Sequence, residues 1–185
     1  MRFSKDLIGK PIFSTDEGRH LGTVRDVYLD KALAWLAGIH LGREGLISRK
    51  ALVIPREAIA VFGVDVILAK TADAVTDDKE MADIENWLRL EKLQGRQVDT
   101  PGGTRVGTLG DVMLDEEARI VGFSLSRVHV EGPVAENPII MRDAVLDIGG
   151  DDDAMTIDLS KVERQTGMAE ATGEGKAKEE QETES

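Results

Sequence analysis

One phrase is written twice in this chain: GTVRDVYLDK begins at Gly22 and GTLGDVMLDE begins at Gly107. Stacked solenoid repeats recur about every 20–45 residues, so a pattern G-T-x-x-D-V-x-L-D recurring this far apart is not that architecture. The separation is that of a small domain, which makes 185 residues enough for two. The repeat is therefore the strongest constraint on the fold.

Around the first copy the chain reads as short strands separated by turns. LIGKPIF (7–13) is apolar and is followed by the turn-forming STDEGRH. LGTVRDVYLD (21–30) has the composition of a strand, but its alternation slips between Val24 and Val27, which predicts a bulge there. WLAGIHL (35–41) and ALVIP (51–55) follow, with Pro55 ending the second because it cannot donate to a ladder. REAIAVFG reads as a short turn and VDVILA (64–69) as the last strand. Five short strands in so little chain predict a small closed or partly closed antiparallel barrel.

The second copy keeps the order. Leu93 and Gly95 answer Leu7 and Gly9, RIVGFSL (119–125) answers WLAGIHL, NPIIMRDAV (137–145) answers ALVIPREAI, and AMTIDL (154–159) answers VDVILA. Met141 stands where Pro55 would fall, predicting a different end to that strand. Between the copies, TDDKEMADIENWLRLEKL (76–93) has the pattern of a helix. Asp77 and Glu80 form a capping box, and Met81, Ile84, Trp87 and Leu88 make one apolar stripe. The predicted organisation is a mainly β chain of two small antiparallel barrels, at 1–72 and 93–166, joined by a linker helix at 73–92. The Glu-rich segment 167–185 is too poor in apolar side chains to fold alone, predicting a disordered acidic tail.

With two copies of this unit, the sequence resembles the PRC-barrel family. That family is named for the cytoplasmic domain of the photosynthetic reaction-centre H subunit, and it includes the C-terminal domain of a bacterial ribosome-maturation factor. The residues carrying the resemblance are Gly9, Gly22, Asp26, Asp30, Gly38 and Pro55, then Gly95, Gly107, Asp111, Asp115 and Gly122. It spans about 3–72 and 90–162, and these are markers of fold. What the resemblance implies is adaptor work, through contacts with other proteins. The membrane-spanning helix of the H subunit and the N-terminal domain of the maturation factor have no counterpart in this sequence, so neither specific role carries over.

No catalytic constellation, cofactor motif or metal set emerges from the residues. Asp26 and Asp30, like Asp111 and Asp115, would lie roughly 13 Å apart along a strand, too far to share an ion or a proton. Hydrogen bonding at the bulge is expected of Asp26 and Asp111, and turn initiation of Asp30 and Asp115. GGDDDA (149–154) lacks the alternating ligands of a calcium loop, TPGGT (100–104) lacks the lysine and helix start of a phosphate loop, and His20, His40 and His129 are scattered. Cysteine is absent, excluding disulfides and thiol chemistry.

A net charge of −12 disfavours nucleic acid, whose affinity rests on cationic contacts. No stretch approaches the ~20 apolar residues that span a bilayer, and MRFSKDLIGK has no signal-peptide core, so a cytoplasmic protein is expected. Membrane association would then be indirect, through a membrane-associated complex. Two loops are the candidates for protein contact: REGLISRK, with Arg43, Arg49 and Lys50 as a basic patch, and SRVHVEGPVAENP, with Arg127 and His129. The expected function is a non-enzymatic interaction or scaffold module, with self-association a further mode. The alternative is a ribosome- or RNA-processing-associated factor.

Overall fold

The computed structural model describes residues 1–44, 50–150 and 153–166. Arg49, residues 151–152 of the GGDDDA run and the predicted tail 167–185 lie outside the described residues. The described residues form two compact units: 1–94 with 111–121, and 95–110 with those from Gly122 onward.

In the first unit β1 (Arg2–Phe3) precedes β2 (Pro11–Ser14), β3 (His20–Thr23), β4 (Asp26–Asp30), β5 (Leu36–Glu44) and β6 (Lys50–Pro55). The slip in the alternation is where β3 gives way to β4. Val24 exchanges backbone bonds with Gly9 and Lys10 (2.9 and 3.0 Å), whereas the Arg25 amide donates to His40 O on β5 (2.8 Å), so the chain changes partners at this kink. After Pro55 comes a 3₁₀ turn, Arg56–Ala58. REAIAVFG is more than a turn, for it continues into β7 (Ile59–Phe62), which pairs antiparallel with β8 (Ile67–Ala69). One sheet has the order β3-β2-β8-β7. Leu7, Ile12, Val24, Val27, Leu29, Leu36, Ile39, Ile54 and Ile67 are buried in the core.

The linker helix expected at 76–93 does not form. The segment contains β9 (Thr76–Asp77), two 3₁₀ turns, β10 (Trp87–Arg89) and a single α turn, α1 (Leu90–Leu93). Strands β9 and β10 sit on opposite edges of the second sheet, β10-β4-β5-β6-β9. Five strands are about 19 Å wide at ~4.8 Å per spacing, whereas about ten helical residues reach only ~15 Å. A looser backbone spans that width and satisfies a strand edge at each end. The apolar stripe keeps its purpose: Ile84 and Trp87 pack on Tyr28, Ala37 and Val53, and this cover explains why β4 is buried on both faces.

Residues 111–121 of the second copy complete the first unit. Strands β11 (Gln97–Asp99), β12 (Arg105–Leu114) and β13 (Ile120–Val128) follow in the chain, and the distal ends of β12 and β13 belong to the first unit. There β1 pairs with β12, placing Arg2 opposite Leu114. The turns after β4 and β12 also meet each other: Leu36 N donates to Ala118 O (2.9 Å) and Ile120 N to Ala34 O (2.8 Å). Leu33 and Ala118 hold matching left-handed conformations in these turns (φ 48° and 65°). The guanidiniums of Arg56 and Arg119 both lie over the Trp35 ring, 4.4 and 5.6 Å from its centroid.

The second unit repeats the pairing scheme of the first. It adds β14 (Ile139–Met141), β15 (Val145–Asp147) and β16 (Met155–Ile157). β11 pairs antiparallel with β12 and parallel with β16, as β2 does with β3 and β8. Register is preserved too, with Ile12 opposite Gly22 and Val98 opposite Gly107. Met141 opposes Gly122 as Pro55 opposes Gly38, and both strands end there before a 3₁₀ turn. The different ending expected of the second copy is therefore not found, because the following turn and not the proline ring terminates the strand. Helical structure over 159–166 closes the described chain, with Val162 buried and Lys161 and Gln165 bonded to Asp143.

At Gly107 an added Cβ would lie 2.2 Å from the backbone oxygen of Arg127, whereas at Gly102 it would meet only Thr100 Oγ1, at 3.8 Å. Gly107→Ala should lower unfolding free energy by about 1–3 kcal/mol, the range for overpacking. Gly102→Ala should stay within about 0.5 kcal/mol. Denaturant melts of the two variants measure the contrast, and equal midpoints would contradict it.

Candidate protein-contact surface

The repeated aspartates hold backbone. Asp26 Oδ1 accepts from Val27 N (2.9 Å) and Oδ2 pairs with Arg89 Nε (3.0 Å). Asp111 accepts from Val112 N (2.8 Å), Lys5 N (3.1 Å) and the buried Ser4 hydroxyl. Asp30 Oδ1 takes the amides of Ala34 and Trp35, and Asp115 those of Glu117 and Arg119. At Asp115 burial pushes the carboxyl up, but the Arg119 and Glu117 amides and the Arg119 guanidinium together hold it below its ordinary value. The turn roles expected of Asp30 and Asp115 are those seen, and Asp26 bonds where β3 gives way to β4, whereas Asp111 bonds within β12, which runs unbroken from Arg105 to Leu114. The partners Arg89 and Ser4 were not legible, because no short spacing joins them to Asp26 and Asp111.

The candidate contact residues divide between the two units, with Arg49 outside the described residues. Arg43 lies on β5 opposite Ala51, in the hairpin that brings Glu44 opposite Lys50. Lys50 is engaged, its ammonium 2.8 Å from Asp77 Oδ2, which fastens β9 to β6. Arg127 and His129 belong to the second unit and are exposed. The loop that carries them is anchored, since α2 (Pro133–Glu136) buries Val134 and the His129 amide donates to Val106 O (2.8 Å). His40 is buried with its ring 5.8 Å from Tyr28, and His20 is exposed against Phe13. Among the described residues no group of three metal-binding side chains comes together.

A surface that sequence reasoning missed lies along β7. A groove of about 540 Å³ is lined by β7 with Arg2, Arg56, Glu57, Lys70, Glu116 and Glu117. Val61 is 49% exposed, and Val64 in the following turn is 84% exposed. Arg2 Nη1 reaches Phe62 O (2.5 Å), and Arg56 Nη2 reaches Glu117 O (2.6 Å). The alternation IAVF was the available signal, but next to REA it read as a turn.

Two outcomes follow. Asp111→Ala strands the buried Ser4 hydroxyl and removes the acceptor of the part-buried Lys5 amide, and should cost about 1–3 kcal/mol in a denaturant melt, the range for one stranded buried polar group. The Lys50 ammonium, with the Lys79 amide and against the push of burial, holds the Asp77 carboxyl down to about 2 from its ordinary 3.8. A depressed carboxyl stabilises the fold above its unfolded value and loses that contribution as pH falls through its folded value. Asp77→Asn should therefore melt below the parent chain at pH 7, with the gap closing between about pH 4 and pH 2. A pH-independent gap would contradict the pairing.

Among curated proteins, none matches the chain. A family model described as the PRC-barrel domain matches residues 1–75, the segment running from β1 to just before β9. Its fold here is mainly β, as that family requires, and no helix among the described residues is long and apolar enough to cross a membrane. Over these residues the chain is similar to the PRC-barrel domain.

Proposed function

We propose that the chain is a non-enzymatic scaffold that binds other proteins in the cytoplasm, built from two PRC-barrel domains. The match over residues 1–75 carries this reading, since a PRC-barrel domain suggests an interaction module. A second such domain at 93–166 is supported by the repeated pairing of β11 with β12 and β16. The engagement of Asp26, Asp30, Asp111 and Asp115 in backbone bonds fits a frame better than a reaction centre. Any membrane association would come through the partner.

A cross-linked pull-down of the tagged full chain from its own cells, read by mass spectrometry, tests this. The expected result is a reproducible protein partner at near-stoichiometric yield. Enrichment of ribosomal proteins with RNA would overturn the scaffold reading in favour of a ribosome-associated factor, a role that the charge of −12 works against.

A further inference from the structure

Residues 76–89 carry two instructions that disagree. Their sequence is that of an amphipathic helix with a capping box, yet the fold draws them across the sheet as a strap, from β9 on one edge to β10 on the other. Natural sequences mostly agree with their folds at the local level, and 3₁₀ turns inside a helical pattern mark a hinge or a stretched segment. Here the stretch is visible in the bonding. Met81 N donates to Asp78 O, Ile84 N to Met81 O and Asn86 N to Asp83 O (3.3, 3.3 and 2.9 Å), each with the three-residue spacing of a 3₁₀ turn. At ~2.0 Å per residue, about ten residues in this form reach ~20 Å, the width that an α-helix falls short of. The start of a helix is already built, since Asp77 Oδ1 accepts from Lys79 N (3.1 Å) and caps the first turn.

The two ends are unequally fastened. β10 pairs with β4 over Trp87–Arg89, Lys31 N donates to Asn86 O (3.0 Å), and Arg89 is ion-paired with the buried Asp26. β9 pairs with β6 over Thr76–Asp77 alone, and its ion pair is Lys50 Nζ to Asp77 Oδ2, with the lysine side chain 53% exposed. Salt screens an exposed pair far more than a buried one, so β9 is the end that lets go.

We propose that residues 76–86 are a strap with two states, held stretched while Lys50 latches Asp77 and wound into an α-helix capped by Asp77 once that latch opens. β10 is the fixed end, and release uncovers the edge of β6 at Leu52 and Val53. A lone helix of this length is marginal in water, so the latched state is the resting one. The device goes beyond the scaffold reading and stands whatever the chain binds.

Native-state hydrogen exchange of the full chain, resolved by NMR, tests this. Lys50→Met should speed exchange at residues 52–53 and 76–77 by about two- to fivefold, the worth of an exposed ion pair, while β2 and β8 keep the parent rate. Salt at about 1 M should speed the same amides in the parent chain and leave Lys50→Met unmoved. Ala82 and Asp83 separate winding from fraying, because both are exposed, both lie outside the strands, and Asp83 makes no side-chain cap bond. Asp83→Ala favours a helix and should speed exchange at 76–77 by about threefold, whereas Ala82→Gly disfavours one and should slow it by about the same factor. Shifts of the same sign from these two variants, or none, would mean that the end frays without winding, and would overturn the two-state strap. So would an unchanged rate at 76–77 in Lys50→Met, or an equal acceleration at β2 and β8, which would mean that the whole unit opens.

Discussion

Unpaired amides and carbonyls at sheet edges set most of this architecture. A short-stranded barrel exposes many such edges for its size, and each must be paired, shortened or covered. The first unit pairs its own. β10 lies along β4, β9 along β6, and β12 along β1, while residues 118–120 bond the turn that starts β5. Side-chain burial joins the backbone bonding: Val112, Leu114, Ala118 and Ile120 are buried, and Trp87 packs against Tyr28, Ala37 and Val53.

Seen this way, the paired aspartates have a common physical role. Where a strand kinks or turns, an amide loses its ladder partner, and a short carboxylate one residue away or at the start of the turn replaces it. Asp26 does this at the kink, Asp111 within the continuous strand β12, and Asp30 and Asp115 at the turn. The duplicated phrase G-T-x-x-D-V-x-L-D supplies a carboxylate to a strand amide and then starts a tight turn. Its recurrence reflects geometry that both copies need.

What could be read from the sequence follows from range. Alternation, turn residues and the repeat are local, and they located most strands, the kink after Val24 and the turn bonding of Asp30 and Asp115. The helix at 76–93 failed because its stripe of Ile84 and Trp87 is equally suited to covering Tyr28 and Val53 in a looser path, and the width to be spanned is a tertiary quantity. The ending at Met141 was misjudged because proline was credited with what the Arg142–Ala144 turn does. The β7 groove was invisible for a similar reason: its walls come from Arg2, residues 56–62, Lys70 and Glu116, which only the fold assembles.

The discontinuity of the first unit has a consequence for how the chain is made. On a ribosome, Gln94 emerges before Val121, and at about 5–20 residues per second the delay is roughly 1–5 s. During that interval β1 lacks its partner strand, the Ala34–Leu36 edge is open, and Ser4 has no carboxylate. The edges of the first barrel therefore close only once residues 111–121 have been made, with Asp111 bringing the carboxylate to which Ser4 donates.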